Sequence, residues 1–390
     1  MEFLELVESI KAEEADTRRL FSAQDGKGIR GLRRNDPRYL ETLAEAATFV
    51  ADVHDGRRSM AALQEAMTTS DFPLLFGDVL DRQLLGSYLE WDPTWAQIAR
   101  RATVRDFRTV KRFAVDGAEG VLSKVEQQTE YPAGSIDEDK YEYSVSKYGR
   151  RLPFSWESFI NDDLDALRSA PQRLAKAARM TEERFVTDLY AGATGPDGTF
   201  FAAGNNNIVE TGTLNPALST AALQAAFTVL RSQVDADGNP IFHGRVKLVV
   251  PPALQVTAQN ILNATEIRVA AGSGSATTDQ LVARNWMSDL VDLVVNPWLP
   301  LISGTNGNTS WYLFGEPSLG RPALEVGFLR GHETPEVFLK SPNAQRIGGG
   351  MVGSEDGDFD TDSVEYKVRH VIGGVLLDPK AAFASNGTGA

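Results

Sequence analysis

Residues 161–192 read NDDLDALRSAPQRLAKAARMTEERFVTDLYAG, a stretch that predicts one long helix. Its apolar positions, from Leu164 to Leu189, recur at helical spacing on one face. An Asn-Asp pair can cap the start, and a glycine follows the last apolar position. The pattern predicts a helix over 162–191, about 45 Å long, with a bend or a break at Pro171. A helix of this length with one apolar stripe needs a sheet to pack against.

The segment before this helix carries the signal of two strands separated by a long polar middle. Tyr141 and Tyr143 alternate with polar residues, as strand residues do. The middle, residues 116–140, is rich in glycine and in acidic residues. A long polar hairpin buries little of itself and needs a partner surface to be ordered. We therefore expect an extended β-hairpin loop over 103–155.

The charges of this segment are distributed unevenly. Residues 100–112 contain six Lys and Arg residues, whereas the middle of the hairpin is acidic. Opposite charges on two subunits would set their register, although a solvated face within one subunit is the alternative. The candidates for inter-subunit contacts are the basic residues Arg101, Arg105, Arg108, Lys111 and Arg112 and the hairpin residues Glu126, Glu130, Tyr131, Asp137, Glu138 and Asp139.

Upstream of the hairpin the chain is predicted to be helical. Residues 1–70 have no strand pattern and resemble an arm that packs on another surface. Two helices fit residues 71–101, and the second is expected to begin near Asp92-Pro93, with proline in its first turn.

Downstream of the long helix, helices and strands alternate. A helix is predicted from Ser219 to Ser232 and another after Pro251-Pro252. Strands are predicted at 246–250, 291–295, 311–314, 323–328, 336–339 and 364–377. The whole pattern indicates an α+β fold.

Composition excludes several functional classes. The chain has 390 residues, a net charge of −14 and no cysteine. An acidic chain does not wrap nucleic acid by neutralising phosphates, and thiol catalysis, disulfides and thiolate metal sites are excluded. Apolar runs stay shorter than a membrane span of about 20 residues. The acidic start lacks the basic region of a signal peptide, so we expect neither membrane association nor standard secretion.

Motifs for catalysis or cofactor binding are weak. The four histidines do not lie at metal-ligand spacing. Gly348–Gly353 matches GxGxxG, but an acidic segment follows it instead of a helix. The alternating aspartates of 356–362 lack the glycine and the glutamate of a calcium loop. We therefore predict a protein that is not an enzyme, with no catalytic residue, cofactor or metal site.

Local sequence matches follow the same order as these elements. They are Trp95–Ile98, Asp106–Arg108, Gly120–Leu122, Glu130–Tyr131, Tyr148–Arg150, Asn161–Leu164 and the end from Tyr366 through Gly373–Gly374 to Phe383. In this order the chain resembles the major capsid proteins of tailed bacteriophages, and within them the Mu-like major head subunits. Local matches cover residues 71–192 and the end of the chain, whereas 219–320 matches in architecture only.

The resemblance implies a Hong Kong 97-like phage capsid fold with five parts. Residues 1–102 would form the N-terminal helical arm and 103–155 the extended loop that reaches across a neighbour. Residues 156–218 and 323–372 would form the peripheral domain, whose spine helix is 162–191. Residues 219–322 and 373–390 would form the axial domain.

The resemblance also implies a function. The chain would self-assemble as pentamers and hexamers into an icosahedral shell around double-stranded phage DNA, without sequence-specific DNA binding. Scaffold, portal and decoration proteins would be its partners, and the shell would assemble in the bacterial host cytoplasm to become the virion capsid. Two alternatives stay open: an encapsulin-type compartment that encloses a cargo enzyme, and a hydrolase with paired carboxylates.

Overall fold

The fold is taken from a computed structural model of the chain. The structure describes residues 44–49, 51–52, 57–58, 88, 93–116, 137–155, 164–208, 215–235, 238–270, 280–319, 321–340 and 360–389. Most of the predicted arm lies outside these ranges, as do the glycine motif at 348–353 and the aspartates at 356 and 358. The candidates Glu126, Glu130 and Tyr131 lie outside them as well.

The chain divides into two compact units. The first comprises Met1–Trp91, Lys147–Met180 and His332–Val371, and the second comprises Asp92–Ser146, Thr181–Gly331 and Ile372–Ala390. The domain boundaries and roles expected from the resemblance stay predictions.

Helices and strands are mixed along the chain. The strands are β1 (Arg100–Val104), β2 (Val110–Asp116), β3 (Asp137–Tyr143), β4 (Ser146–Ser155), β5 (Ala191–Gly192), β6 (Gly195–Pro196), β7 (Val246–Val250), β8 (Glu266–Ala270), β9 (Gln280–Arg284), β10 (Val291–Val295), β11 (Trp311–Phe314), β12 (Leu324–Leu329), β13 (Glu336–Leu339), β14 (Ser363–Leu376) and β15 (Ala382–Ser385). The α-helices are α1 (Leu164–Tyr190), α2 (Thr220–Arg231), α3 (Gln255–Asn263), α4 (Met287–Leu290) and α5 (Leu299–Ile302). Residues 44–49 and 51–52 are also helical, and 3₁₀ turns occupy Thr94–Gln97, Ala203–Asn205, Pro252–Leu254 and Pro379–Ala381.

The first unit is built on the N-terminal part of β14. β4 and β13 both pair with β14, and the β13 pairing is antiparallel, with Val337 opposite Val368. Tyr88 packs in the core of this unit with Leu174 of α1 and Tyr366 of β14. Burying such side chains supplies the main stabilisation of the unit.

The second unit contains a four-stranded sheet in the order β10-β7-β11-β15. β7 and β10 are parallel, and the other two pairings are antiparallel. The central strand β7 is apolar at four of its five positions, and these four are buried because both faces of the strand are covered. Helices α2 and α3 pack on this sheet, and Leu223, Leu248 and Leu313 are fully buried between them.

The second unit also contains the hairpin and its base. β2 and β3 are antiparallel, with Val110 opposite Tyr143 and Asp116 opposite Asp137. β1 runs parallel to β12, and β12 pairs with the C-terminal part of β14. The paired hairpin therefore begins at Val110, while β1 belongs to the sheet that contains β12 and β14.

Several predicted elements are confirmed. The long helix spans Leu164–Tyr190, and α2 begins after Ser219, whose hydroxyl accepts a hydrogen bond from the Ala222 amide. Of the bend or break predicted at Pro171, the break is wrong, because the helix is continuous through this residue, and the bend stays a prediction. A proline removes one backbone hydrogen bond of a helix, and the flanking turns of α1 persist around it.

Two other predictions are wrong. The helix expected near Asp92-Pro93 is a four-residue 3₁₀ turn, Thr94–Gln97, because the chain leaves it to pair as β1 with a strand far away in sequence. Asp137, Glu138 and Asp139 were expected in the polar middle of the hairpin. They lie within β3 instead, opposite Asp116, Val115 and Ala114.

Candidate functional site

A buried carboxylate lies where the hairpin meets the sheet. Glu325 is on β12, an otherwise apolar strand, and its side chain is completely buried. Arg100 of β1, Arg112 of β2 and Tyr143 of β3 converge on it. We call these four residues the Glu325 clamp.

The clamp satisfies both carboxylate oxygens of Glu325. Arg100 donates to Oε2 from Nε at 3.0 Å and from Nη2 at 2.5 Å. Arg112 Nε donates to Oε1 at 2.6 Å, and the Tyr143 hydroxyl donates to the same oxygen at 2.8 Å. A buried carboxylate with this many donors is held in one place, and it holds its donors in turn.

The electrostatics of the clamp follow from these contacts. Burial acts to raise the pKa of Glu325, but the hydrogen bonds from Arg100, Tyr143 and Arg112 outweigh it, so the pKa is lowered. Burial, followed by the hydrogen bond to the carboxylate, raises the pKa of Tyr143 to about 12. The Glu325 carboxylate is therefore ionised and the Tyr143 phenol is neutral at pH 7.

Two glycines, one on β12 and one on β14, let the base of the hairpin pack closely on the sheet. We call them the floor glycines. A Cβ atom at Gly327 would lie 2.6 Å from the Tyr143 hydroxyl oxygen. A Cβ atom at Gly373, which pairs with Gly327, would lie 2.4 Å from the carbonyl oxygen of Ser144. A larger residue at position 327 would displace the Tyr143 side chain, and one at position 373 would displace the chain between β3 and β4.

Helix α1 anchors the chain that enters the clamp. Glu183 accepts hydrogen bonds from the amide and the hydroxyl of Thr94, both at 2.5 Å. The Trp95 indole donates to Glu182 at 3.2 Å. Burial raises the pKa of Glu183. These contacts fix the turn that leads directly into β1.

A second buried polar contact fixes the C-terminal turn of α1. The side-chain amide of Asn296 donates to Thr187 Oγ1 and to the Tyr190 hydroxyl, both at 2.8 Å. Its backbone amide donates to Val250 of β7. α1 is therefore joined to the four-stranded sheet by hydrogen bonds as well as by packing.

The predicted contact residues occupy different environments. Arg112 belongs to the clamp, and Arg101 lies with its guanidinium carbon 4.8 Å from the centre of the Phe328 ring. Arg105, Arg108 and Lys111 are exposed. The structure thus engages Arg112 within its own chain, while a role between subunits stays a prediction for the whole set.

Sequence reasoning missed Glu325, Tyr143 and Arg100 as members of one site. The available signal was a single acidic residue inside the apolar run LEVGFL at 324–329. A charge in a strand buried along its whole length needs partners. The arrangement supplies no nucleophile, base or metal set, so what it can do is fix the direction in which the hairpin leaves the sheet.

The part of the chain that the structure describes contains neither a metal site nor a membrane-spanning helix. Over the residues that the structure describes, no group of three or more His, Asp or Glu side chains is placed to hold a metal ion. Within those same ranges, none of the helices is both long enough and apolar enough to cross a membrane.

Comparison with known proteins identifies the family. The family described as "Phage capsid protein" matches residues 138–385, well over half of the chain. The chain belongs to the phage capsid protein family. This match includes β3, the floor glycines and Glu325 of the clamp. Membership makes the protein a phage-type capsid shell protein, a structural class that assembles into shells.

Solved structures are similar at low sequence identity. A chain titled "Gordonia phage Cozz" is 14% identical, with a TM-score of 0.40, over 73% of this chain and 83% of that one. The capsid structure of cyanophage P-SCSP1u is 13% identical, with a TM-score of 0.43, over 74% and 86%. The holo-SrpI encapsulin complex from Synechococcus elongatus PCC 7942 is 13% identical, with a TM-score of 0.44, over 76% and 88%. No curated protein matches the chain.

Proposed function

We propose that this protein is the major capsid protein of a tailed bacteriophage. It would assemble as pentamers and hexamers into an icosahedral shell that encloses double-stranded DNA. The match of residues 138–385 to the phage capsid protein family carries this proposal. The closer relation to Mu-like head subunits is part of the same proposal.

The Glu325 clamp supports a hairpin that acts outside its own subunit. Three features hold the start of β2 and the end of β3 against the sheet. They are the clamp, the floor glycines and the 3₁₀ turn Thr94–Gln97, which leads into β1. In the described part of the hairpin, the two strands pair with each other and with no third strand. A two-stranded ribbon is marginally stable alone, so a fixed base with a free ribbon suits a contact with a neighbour.

The five parts of the Hong Kong 97-like fold are proposed on the same basis. The arm would be 1–102, the extended loop 103–155, the peripheral domain 156–218 and 323–372 with spine helix 162–191, and the axial domain 219–322 and 373–390. Helix α1 provides the spine, and the four-stranded sheet lies in the proposed axial domain.

The proposed partners follow from the shell. Other copies of the chain are the main partner, and scaffold, portal and decoration proteins would bind the assembled lattice. The shell would form in the cytoplasm of the bacterial host and become the virion capsid. Enclosed DNA would be held without sequence readout, as expected for a chain with a net charge of −14.

Electron microscopy of the purified full-length protein tests the shell. We expect closed particles with five-fold and six-fold clusters, and virions should contain nuclease-protected DNA. Light scattering that finds only monomers under every assembly condition contradicts the proposal. Particles that hold a protein cargo and no DNA would instead identify an encapsulin-type compartment.

Charge reversal tests the exposed basic residues as inter-subunit contacts. The change Arg105→Glu with Arg108→Glu should leave folding intact, because both side chains are exposed, and should lower the yield of shells. The matched control is Arg105→Lys with Arg108→Lys, which keeps both charges. Equal shell yields from the two variants at low salt would show that Arg105 and Arg108 do not take part in the contact between subunits.

A further inference from the structure

A histidine is buried in the segment of the second unit that leads into β7. His243 is only 3% exposed, and its Nε2 atom has no hydrogen-bond partner among the residues that the structure describes. Buried polar atoms normally have a partner, because leaving one unpaired costs free energy. The imidazole is therefore a buried titratable group outside the Glu325 clamp. We call residues 238–245, which carry it, the His243 loop.

Three elements surround the His243 ring. A Cβ atom at Gly315, directly after β11, would lie 3.2 Å from Nδ1 of the ring and 3.4 Å from the carbonyl oxygen of Ala381. Ala381 belongs to the C-terminal 3₁₀ turn. Leu230 and Arg231 form the last turn of α2 and act on the ring from the third side. The ring is therefore enclosed by the end of α2, the end of β11 and the C-terminal turn.

Hydrogen bonds hold the His243 loop against these elements. The amide of Glu316 donates to the backbone carbonyl of His243 at 2.8 Å. Nη2 of Arg231 donates to the carbonyl of the next residue, also at 2.8 Å. The amide of Ile241 donates to the carbonyl of Gln233 at 3.1 Å. All three bonds lie within two residues of His243, so a displacement of its ring reaches each of them.

The charged groups on the surrounding elements do not compensate a charge on the ring. Arg231 acts against a protonated imidazole, whereas Asp378 acts in its favour. Asp378 already accepts a hydrogen bond from Arg321 at 3.2 Å. The carboxylate of Glu316 lies 3.6 Å from Nζ of Lys247. The other charged groups on these segments are cations with acceptors of their own: Lys380, which donates to the Val234 carbonyl, and Arg245, which pairs with Asp292.

A proton on the His243 ring would place a charge in this enclosed space. Burial is the main cause that lowers the pKa of His243 to about 4, and the charge of Arg231 adds to it. Asp378 and the carbonyl of Leu230 oppose this shift without cancelling it. The ordinary pKa of histidine is 6.5. A ring released into water therefore binds a proton at a pH where the enclosed ring does not.

We propose that protonation of His243 in mildly acidic solution releases the His243 loop from α2, β11 and the C-terminal turn. The hydrogen bonds of the Ile241 and Glu316 amides would open together with the ring. The loop also carries Phe242, which is 83% exposed, so its release would free an exposed aromatic side chain from a fixed position. This acid-sensitive contact lies within one chain and does not depend on the proposed shell.

Proton binding by the released ring sets the size of the effect. Well above pH 6.5 the ring is neutral whether the loop is held or released, so the held loop is most stable there. As the pH falls from 6.5 toward 4, only the released ring binds a proton, and the held loop loses stability. The equilibrium constant for release should therefore be about thirtyfold larger at pH 5 than at pH 7.5. Carboxyl groups contribute little in this window, because their ordinary pKa is about 4.

Amide hydrogen exchange of the full-length, unassembled protein at pH 7.5 and pH 5 tests the release. After correction for the intrinsic effect of pH on exchange, the amides of Ile241 and Glu316 should lose about thirtyfold in protection. The amides of the central strand β7 should keep their protection. Unchanged protection at Ile241 and Glu316 would overturn the proposal. An equal loss throughout β7 would also overturn it, because the whole sheet would then be opening.

A variant without the titrating ring assigns the effect to His243. His243→Gln keeps a polar side chain but cannot be protonated, so protection at Ile241 and Glu316 should change by less than about twofold between the two pH values. The matched control is His332→Gln, which removes a histidine of the first unit and should retain the full acid effect. An acid effect that persists in His243→Gln, or that disappears in His332→Gln, would assign the titration to another group and contradict the proposal.

A second variant keeps the test decisive if His243→Gln does not fold. Arg231→Gln retains His243 and removes a cation that opposes its protonation, so the ratio of protection between pH 7.5 and pH 5 should become smaller than in the wild type. Nuclear magnetic resonance of protein with labelled histidine follows the ring itself. The His243 signal should titrate at a higher pH in Arg231→Gln than in the wild type. A wild-type ring that titrates near pH 6.5 while the loop stays protected would contradict the proposal.

Discussion

The Glu325 clamp contrasts with an open groove between β4 and β14. We call it the cationic groove, because five of its lining residues are Lys147, Arg150, Arg151, Lys367 and Arg369. In the clamp, two arginines and one tyrosine surround a carboxylate that is completely buried. In the groove, five cations surround open space, and three of them have no carboxylate partner among the described residues. Charges paired in a buried site stabilise the fold of their own subunit, whereas exposed cations that lie beside one another add little to it. Substitutions in the two regions should therefore change the stability by different amounts.

Removing the clamp carboxylate should have the largest effect on stability. Glu325→Gln deletes the charge that three donors share, and breaking a buried ion pair costs about 3–5 kcal/mol. We expect a loss near the lower limit, about 3 kcal/mol, because Arg100 and Arg112 can turn toward solvent. Urea unfolding of the unassembled protein measures the change.

The control for this variant is Glu365→Gln, which removes a partly buried carboxylate that pairs with the exposed Arg151 beside the groove. An ion pair whose arginine is exposed to solvent contributes about 0–1 kcal/mol, so this change should cost far less than Glu325→Gln. Equal losses for Glu325→Gln and Glu365→Gln would contradict the contrast between the two regions.

Filling the floor beneath the clamp should have the next largest effect. Gly327→Ala places a methyl group 2.6 Å from the Tyr143 hydroxyl oxygen and 2.7 Å from Cε2 of its ring. Overpacking of this kind costs about 1–3 kcal/mol. Gly198→Ala is the matched control, because a Cβ atom there meets nothing within 4 Å. Thermal unfolding of both variants gives the comparison. An unchanged Tm for Gly327→Ala would show that the close approach of Tyr143 does not require glycine at position 327.

The tyrosine of the clamp should produce a pH-dependent effect in alkaline solution. The pKa of Tyr143 is raised from 10.0 in the unfolded chain to about 12 in the folded chain, first by burial and then by its hydrogen bond to Glu325. Its contribution is therefore complete below pH 10 and is lost as the pH rises toward 12. The stability difference between wild type and Tyr143→Phe should shrink over this window. A constant difference from pH 9 to pH 12 would contradict the assignment.

The smallest effect on stability is expected in the groove. Lys147→Ala with Arg150→Ala removes two exposed cations that face other cations, so unfolding should change by less than about 0.5 kcal/mol. A destabilisation near that of Glu325→Gln would show that the groove charges support the fold of their own subunit.

The elements that sequence patterns predicted well are local ones. Helix α1 at Leu164–Tyr190 and the Ser219 cap depend on helical spacing and on a capping hydroxyl. Strand β7 was predicted from a short segment that is apolar at four of its five positions. These signals lie within the element itself, so one sequence is enough to find them.

The elements that were missed depend on partners far away in the chain. β1 forms because Arg100–Val104 pairs with Leu324–Leu329, and nothing within its five residues indicates that pairing. Glu325 is recognisable as a site only after the sheet buries it beside Arg100 and Tyr143. The uneven distribution of charge along the hairpin was visible in the sequence. Which of its basic residues form ion pairs within the chain, as Arg112 does with Glu325, can be seen only in the folded structure.

The clamp also has a consequence for the order of events during synthesis. Arg100 and Glu325 are separated by 225 positions, and Tyr143 and Glu325 by 182. Pairings this distant in sequence form late in folding, since a long loop must close first. During synthesis the hairpin residues leave the ribosome long before Glu325 does. The clamp can therefore close only late, and the base of the hairpin is fixed only after most of the chain has been made.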